Sequence, residues 1–225
     1  FSVTVNHHPH DDLLLSYAAG SLSETWSLAV ASHLSLCTEC RRTIELAETI
    51  GGVLFADMPD ERMSSDALDH VLAQIDQPSG EAASANTQLA LDKHAAVSTT
   101  FPRVLCEYVG QDVDDVPWKS IGGEVYQHLI KTADKSARAR LLRIAAGKTV
   151  PSHGHRGREL TLVLSGSYQD GLSLFSAGDM EDVDEALVHK PTADTATDCI
   201  CLVITDAPIK FKEWVPRLLQ PMIGI

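Results

Sequence analysis

The stretch GKTVPSHGHRGRELTLVLSG, residues 147–166, determines the fold that the sequence predicts. Its two histidines, His153 and His155, alternate along a strand and therefore point to the same face. Glu159 follows a short glycine-containing turn that returns its carboxylate to the same point, and Gly166 permits the tight turn that joins two strands. Imidazole and carboxylate groups brought together in this way predict a metal site inside a β barrel.

The spacing of this stretch, G-x5-H-x-H-x3-E-x6-G, resembles the first motif of the cupin superfamily at every anchoring position. The resemblance implies an all-β jelly-roll barrel and a second motif that adds one more histidine after a turn. We expect that turn at 177–179 and that ligand at His189, just before Lys190 and Pro191. The sequence departs from the second motif in lacking the proline that usually precedes Gly178.

The four candidate ligands do not by themselves identify the metal. Three histidines and one glutamate accept Fe(II), Mn(II), Ni(II) and Zn(II), because all of these ions tolerate nitrogen and oxygen ligands. The ligand set therefore predicts a metal-binding cupin and leaves the identity of its metal open.

A second candidate metal site lies near the start of the chain, where residues 33–40 read H-x3-C-x2-C. On a helix, His33 and Cys37 are one turn apart and share a face, and Cys40 opens the next helix within reach of the same point. Thiolate and imidazole groups are the ligands of structural zinc, and the fourth ligand is expected from the cluster of His7, His8 and His10. A thioredoxin-type redox pair is the alternative, but no βαβ pattern surrounds these residues.

The periodicity of apolar residues divides the chain into a helical part, a linker and a strand-rich part. We predict a small all-α four-helix domain at 1–76, a linker at 77–102 and an all-β domain at 103–225. The predicted helices are Leu13–Ala19, one opened by a capping box at Ser21–Glu24, Thr38–Ile50 ended by Gly51-Gly52, and Ser65–Ile75 with one apolar face. The predicted strands are Val104–Val109, Glu124–Leu129, Arg138–Ala145, Leu160–Leu164, Leu172–Phe175 and Cys199–Ile204.

The helical part resembles the zinc-binding anti-sigma domain, and within that family the ChrR branch. The resemblance rests on the H-x3-C-x2-C motif and on the stretch from His8 to Gly20, in which Tyr17-Ala18-Ala19-Gly20 precedes Leu22-Ser23-Glu24. It implies that His8, nine residues before Tyr17, is the fourth zinc ligand. It also implies zinc at both sites, a group IV (extracytoplasmic-function) sigma factor as the inhibited partner, and a cupin that responds to singlet oxygen or related oxidants.

The net charge of −13 argues against direct binding of nucleic acid, which requires clustered lysine and arginine. Residues 1–76 contain three basic and twelve acidic side chains, a net charge of −9. Such a surface suits a basic protein partner, although the same acidity would also simply keep the domain soluble. No apolar run has the length of a membrane span and no signal peptide is visible, so we expect a cytoplasmic protein without membrane contact.

Three further cysteines lie outside the predicted metal sites. We interpret Cys106 and one of Cys199 and Cys201 as small apolar residues of strands. An exposed, redox-responsive pair formed by Cys199 and Cys201 is the alternative.

These features favour a regulator over an enzyme. The alternative is a cupin metalloenzyme of the dioxygenase type with an accessory zinc domain, since a 3-His/1-Glu site leaves coordination positions for oxygen and substrate. A barrel that binds a sugar, metabolite or other small-molecule signal is a third possibility. Against the enzyme, the sequence contains no clear acid/base or substrate-anchoring group beyond the ligands.

Overall fold

The computed structural model describes residues 4–75, 100–110 and 112–208, together with the backbone of 210 and 211. The predicted linker, 77–102, lies outside the described residues as far as residue 99. The chain separates into two compact units, one formed by Phe1–Gly51 with Thr99–Ile225 and the other by Gly52–Ser98. The domain limits of 1–76 and 103–225 stay a prediction.

Five α-helices occur in the described part of the chain, four of them within the first 75 residues. They are α1 (Asp11–Ala18), α2 (Glu24–Leu36), α3 (Thr38–Ala56), α4 (Ala67–Ile75) and α5 (Arg103–Val109). The predicted helical N-terminal part is confirmed. Among these described helices, none combines the length and the apolar character needed to cross a membrane.

The start of α2 differs from the predicted capping box at Ser21. The helix begins at Glu24, with Ser23 at the N-cap position. The Glu24 carboxylate accepts hydrogen bonds from the backbone N–H groups of Ala133 (2.7 Å) and Asp134 (3.1 Å), and the Ser23 hydroxyl donates to the Asp134 carboxylate (2.7 Å). The polar groups expected to cap the helix locally therefore bind a loop that is more than 100 residues away in sequence.

The predicted end of α3 at Gly51-Gly52 is also wrong, because the helix continues to Ala56. Neither glycine adopts a positive φ, so neither ends the helix in the left-handed conformation that a glycine C-cap uses. A glycine inside a helix costs only about 1 kcal/mol relative to alanine, which the rest of a 19-residue helix offsets.

The strand-rich part is confirmed as a set of short antiparallel strands. They are β1 (Lys119–Gly122), β2 (Val125–Ile130), β3 (Arg138–Ile144), β4 (His153–Gly154), β5 (Glu159–Ser165), β6 (Ser167–Asp170), β7 (Ser173–Ser176), β8 (Met180–Val183), β9 (Val188–His189), β10 (Thr192–Ala193), β11 (Cys199–Thr205) and β12 (Lys210–Phe211). A six-stranded sheet has the order β1-β2-β3-β11-β5-β8, and two three-stranded sheets have the orders β10-β6-β7 and β12-β4-β9.

One predicted strand, Val104–Val109, is instead part of α5. Pro102 stands at its N-cap position and Gly110 ends it in the left-handed conformation, at a φ of 77°. A proline just before a segment and a glycine just after it are helix boundaries, and these signals outweigh the β-branched residues between them.

The central strands of the large sheet are buried on both faces. On β5 and β11, alternate residues belong to two separate apolar clusters, so that Leu160 and Leu162 lie with Leu202 and Ile204, whereas Val163 lies with Cys201. The first cluster also contains Leu13 and Leu14 of α1 and Leu28 and Ala29 of α2. Helices from the start of the chain thus cover one face of the sheet, and the other face lines the barrel.

The turn between β5 and β6 requires glycine. Gly166 has a φ of 73°, and a Cβ atom there would lie 2.4 Å from the backbone oxygen of Asp198. We expect Gly166→Ala to lower the free energy of unfolding by about 3 kcal/mol, since the left-handed backbone costs alanine about 1–2 kcal/mol and the clash adds to it. Denaturant unfolding of the full chain measures this change.

The matched control is Gly171→Ala, in the turn between β6 and β7. Gly171 has a φ of 56°, but a Cβ atom at this position would have no other atom within 4 Å. This variant should lose only the backbone cost, about 1–2 kcal/mol. Equal losses in the two variants would contradict the clash at Asp198.

Candidate metal centres

The first candidate centre lies inside the barrel, at the pairing of β4 with β9. His153 is directly opposite His189 in this antiparallel pair, His155 follows β4, and Glu159 opens β5. The Nε2 atom of His189 lies 3.0 Å from the Nε2 atoms of both other histidines. All four side chains are buried, and one ligand atom from each lies within 4.8 Å of the others. The structure therefore brings the four predicted residues together.

Hydrogen bonds to the opposite ring nitrogen determine the tautomer of two of these histidines. The Nδ1–H of His153 donates to the carbonyl of Pro151, and the Nδ1–H of His189 donates to the Asp170 carboxylate, both at 2.9 Å. Each Nε2 atom then has no proton, so two lone pairs face each other at 3.0 Å. A cation between them removes this repulsion, and the residues therefore fit a metal ion.

Burial governs protonation in the barrel centre. It lowers the pKa of His153 and of His155 to about 4, so both imidazoles are neutral at pH 7 and present lone pairs to a metal. Burial also raises the pKa of Glu159 to about 8. A bound cation would reverse this effect by favouring the carboxylate.

The second candidate centre brings together the segment before α1, the C-terminal end of α2 and the first turn of α3. The Nδ1 atom of His8 lies 3.4 Å from Sγ of Cys37 and 3.3 Å from Sγ of Cys40. The Nε2 atom of His33 lies 3.3 Å from Sγ of Cys40. Ligand atoms held about 2.0–2.3 Å from one tetrahedral zinc ion are separated by roughly these distances.

The protonation of this centre also depends on a bound cation. The Nδ1–H of His33 donates to the carbonyl of Gly178 at 3.0 Å, which leaves Nε2 unprotonated and directed at Cys40. Burial lowers the pKa of His33 to about 4, and burial together with Cys37 raises the pKa of Cys40 to about 12. A thiol with such a pKa ionises at pH 7 when a metal takes the place of its proton.

Of the three histidines predicted to compete for the fourth position, His8 lies with His33 and the two cysteines. His10 is the exposed N-cap residue of α1. The ring of His7 packs on Phe175, with centroids 4.4 Å apart, and its Nδ1 lies 3.5 Å from the Asp179 carboxylate. Metal ligation at both centres stays a prediction.

Comparison with known proteins identifies the family. Residues 107–207 match the family described as the ChrR cupin-like domain. Over 223 residues, which is 99% of this chain and 100% of the relative, the chain is 44% identical to the anti-sigma-E factor ChrR of Cereibacter sphaeroides. The chain belongs to the ChrR family of anti-sigma factors.

The ChrR-family fold extends over nearly all of the chain. The crystal structure of Rhodobacter sphaeroides SigE in complex with the anti-sigma ChrR matches it with a TM-score of 0.76 and 43% sequence identity, covering 90% of this chain and 100% of that one. The predicted resemblance and the combination of a helical part with a cupin are confirmed. Membership of the ChrR family of anti-sigma factors favours a regulator over an enzyme.

Sequence reasoning missed the acidic residues behind His189 in this ChrR-family barrel. The Asp170 carboxylate bonds His189 Nδ1 and also accepts from the backbone N–H of Lys190 (3.2 Å). The Glu181 carboxylate lies 3.8 Å from the same Nδ1 and accepts from the Tyr168 hydroxyl (2.7 Å). No local signal separates Asp170 from an ordinary polar residue before a glycine turn, because only the fold places it beside His189.

The three remaining cysteines are not exposed redox groups. Cys199 and Cys201 are buried on the barrel side of β11, with their sulfur atoms 3.6 Å apart, so the alternative of an exposed pair is wrong. One of the two was predicted to be a small buried strand residue, and the structure places both in that role. Cys106 is a half-buried residue of α5, so its predicted strand position is wrong for the same reason as the strand itself.

Asp170 gives a test of the barrel centre. Asp170→Ala removes the acceptor that fixes the tautomer and the ring orientation of His189, and loss of such a partner lowers metal affinity about 10–100-fold. Competition with a chromogenic chelator measures the affinity. Asp194→Ala is the control, because that exposed carboxylate caps only its own turn through the N–H of Ala196. Equal affinities in the two variants would rule out a role for Asp170 in the barrel centre.

Proposed function

We propose that this chain binds and inhibits a group IV sigma factor. The observation that supports this most strongly is the full-length similarity to a protein named anti-sigma-E factor and to the ChrR chain found in complex with SigE. Sequence identity of 44% over 223 residues, an alignment that includes the helical part and the barrel, supports a shared mode of action. The partner is therefore a protein, with no direct contact to nucleic acid.

Exposed apolar side chains on α3 and on α4 support a protein partner. On α3 the exposed residues are Leu46, Ile50, Val53, Leu54 and Phe55, with Phe55 at 76% relative exposure. On α4 the predicted apolar face exists but is not buried, and its exposed residues are Leu68, Val71, Leu72 and Ile75. Apolar side chains exposed in such numbers are typical of an interaction surface. The surrounding negative charge would attract a basic partner.

We propose that zinc occupies both centres. His8, His33, Cys37 and Cys40 would hold a structural zinc ion, which adds its binding free energy to folding. His153, His155, Glu159 and His189 would hold the barrel metal. Zinc is the choice that the ChrR resemblance favours there, and Fe, Mn and Ni remain compatible with the ligand set.

We further propose that the barrel senses an oxidative signal such as singlet oxygen. Its interior holds three imidazoles and two thiols, which are groups that oxidants attack, within one buried volume. The barrel is also bonded to the helical part: Arg158, next to the metal-site residue Glu159, forms an ion pair with Asp12 of α1 at 2.7 Å. Damage inside the barrel can therefore change how the helices hold the partner.

Two further parts of the proposal follow from the anti-sigma role. Because a sigma factor acts on cytoplasmic RNA polymerase, we place this chain in the cytoplasm. We also propose that the barrel catalyses no reaction, since the relative that is 44% identical over 99% of this chain is an anti-sigma factor. Oxygen consumption by the metal-loaded protein would favour the dioxygenase alternative instead.

The partner surface is tested by co-expression with candidate sigma factors and quantitative capture. Phe55→Asp places a charge in the exposed apolar surface of α3 and should weaken binding at least tenfold, as loss of a central apolar contact does. Leu172→Asp is the matched control, because Leu172 is an equally apolar and fully exposed residue in the turn before β7. Failure of the wild-type chain to bind any sigma factor would remove the central proposal.

Sensing is tested on the complex with the sigma factor, illuminated in the presence of a photosensitiser that produces singlet oxygen. We expect release of the sigma factor from the wild-type chain and several-fold slower release from His189→Ala, which lacks one barrel ligand. His128→Ala, a half-exposed histidine of β2 outside both centres, should respond as the wild type does. The same release rate in all three proteins would show that the barrel centre does not receive the signal.

A further inference from the structure

The turn between β7 and β8 holds the segment that supplies His8. The carboxylate of Asp179 is 1% exposed and accepts hydrogen bonds from the backbone N–H groups of Asn6 (2.6 Å) and His7 (3.0 Å). Its second oxygen accepts from the N–H of Ser176 (2.9 Å), within the turn itself. A buried carboxylate thus joins the barrel to the two residues directly before His8.

Other groups of the same turn complete this attachment. The backbone N–H of Met180 donates to the carbonyl of His7 at 3.0 Å, so both polar backbone groups of His7 are bonded to the barrel. The carbonyl of Gly178 accepts the Nδ1–H of His33 at 3.0 Å. Two of the four residues in the Cys/His centre are therefore oriented from the barrel.

His8 depends on these bonds more than the other three residues do. Cys40 and His33 are positioned by the backbone of a helix, and Cys37 directly follows α2 with its N–H bonded to the carbonyl of His33. His8 instead lies in an extended segment that forms no strand pairing among the described residues. Without the turn, the backbone of this segment would have to be ordered by the metal alone, at a cost of about 1–2 kcal/mol per residue.

We propose that Asp179 is a positioning residue for the N-terminal Cys/His centre. It holds the backbone before His8 so that Nδ1 faces both thiols, while the neighbouring Gly178 carbonyl holds His33 in the tautomer that presents Nε2. The barrel thus supplies the outer hydrogen bonds of a centre whose ligands all come from the helical part. This inference rests on the proposed metal binding by His8, His33, Cys37 and Cys40.

The turn is also bonded directly to the strand that begins with Glu159. The N–H of Gly178 donates to the carbonyl of Val163 (2.8 Å), and the N–H of Val163 donates to the carbonyl of Asp179 (3.0 Å). Asp179 is therefore connected to both centres. Its carboxylate binds the backbone directly before His8, and two residues further along the chain Glu181 contacts His189.

Cobalt titration of the full-length protein separates the two centres. Only the N-terminal centre has cysteine ligands, so only Co(II) bound there gives a thiolate-to-cobalt charge-transfer band. We expect Asp179→Ala to weaken Co(II) binding read in this band by about 10–100-fold, the usual effect of losing a hydrogen-bond partner of a ligand. Asp179→Asn keeps one acceptor oxygen for the two N–H groups and should restore binding to within several-fold of the wild type.

Asp184→Ala is the matched control. The Asp184 carboxylate caps the next turn of the barrel through the N–H of Ala186 and is exposed. It should leave the charge-transfer band and its midpoint unchanged. Asn6→Pro is a second test, and it leaves the residues of the barrel turn unchanged. Proline has no N–H to donate in the 2.6 Å bond to Asp179, so this variant should also weaken Co(II) binding several-fold.

Each outcome decides the inference. If folded Asp179→Ala binds Co(II) in the charge-transfer band as tightly as the wild type, Asp179 is not a positioning residue. If that variant does not fold, as judged by circular dichroism, wild-type affinity in Asn6→Pro overturns the inference instead. If the wild-type protein gives no charge-transfer band, the proposed Cys/His centre itself is wrong and this inference falls with it. Sigma-factor capture, measured separately, shows whether the anti-sigma role survives either result.

Discussion

The alternation of side chains on β5 is the constraint on which the rest of this structure depends. Glu159 faces the barrel interior, and the next residue, Leu160, faces the helices with no exposed surface. Each buried leucine stabilises the fold by about 1.5–3 kcal/mol. A shift of one residue in register would exchange the two faces, exposing the leucines and withdrawing the carboxylate from the histidines. The candidate metal centre and the helix contact are therefore positioned by the same backbone.

This arrangement gives a physical reason for joining the helical part and the barrel in one chain. The outer face of the sheet is apolar and is covered by α1 and α2, so α2, which carries His33 of the Cys/His centre, packs against the same sheet that carries Glu159. Arg158, which forms ion pairs with Asp12 and Asp182, is the residue directly before the candidate ligand Glu159. The barrel and the helices are therefore connected directly, through packed side chains and short hydrogen bonds.

The features that could be predicted from the sequence are those encoded by local spacing. His153 and His155 are two residues apart, and the H-x3-C-x2-C motif spans eight residues, and the structure brings each set together as the spacing predicts. Sequence reasoning failed where distant segments compete with local signals. Glu24 binds the backbone at residues 133 and 134 instead of closing a capping box, and Asp170 becomes important only because β9 returns beside it. Neither contact can be predicted from the spacing of nearby residues.

The contrast between α2 and α4 indicates where the protein is incomplete by itself. Apolar residues of α2, such as Leu28 and Ala29, are buried against the sheet, whereas Leu68 and Ile75 of α4 are 67% and 71% exposed. An isolated helix of nine residues is unstable in water, because its few hydrogen bonds do not offset the cost of nucleation. Packing of its apolar face supplies the missing free energy. If the sigma factor of the proposed function packs on this face, α4 gains its stability when the partner binds.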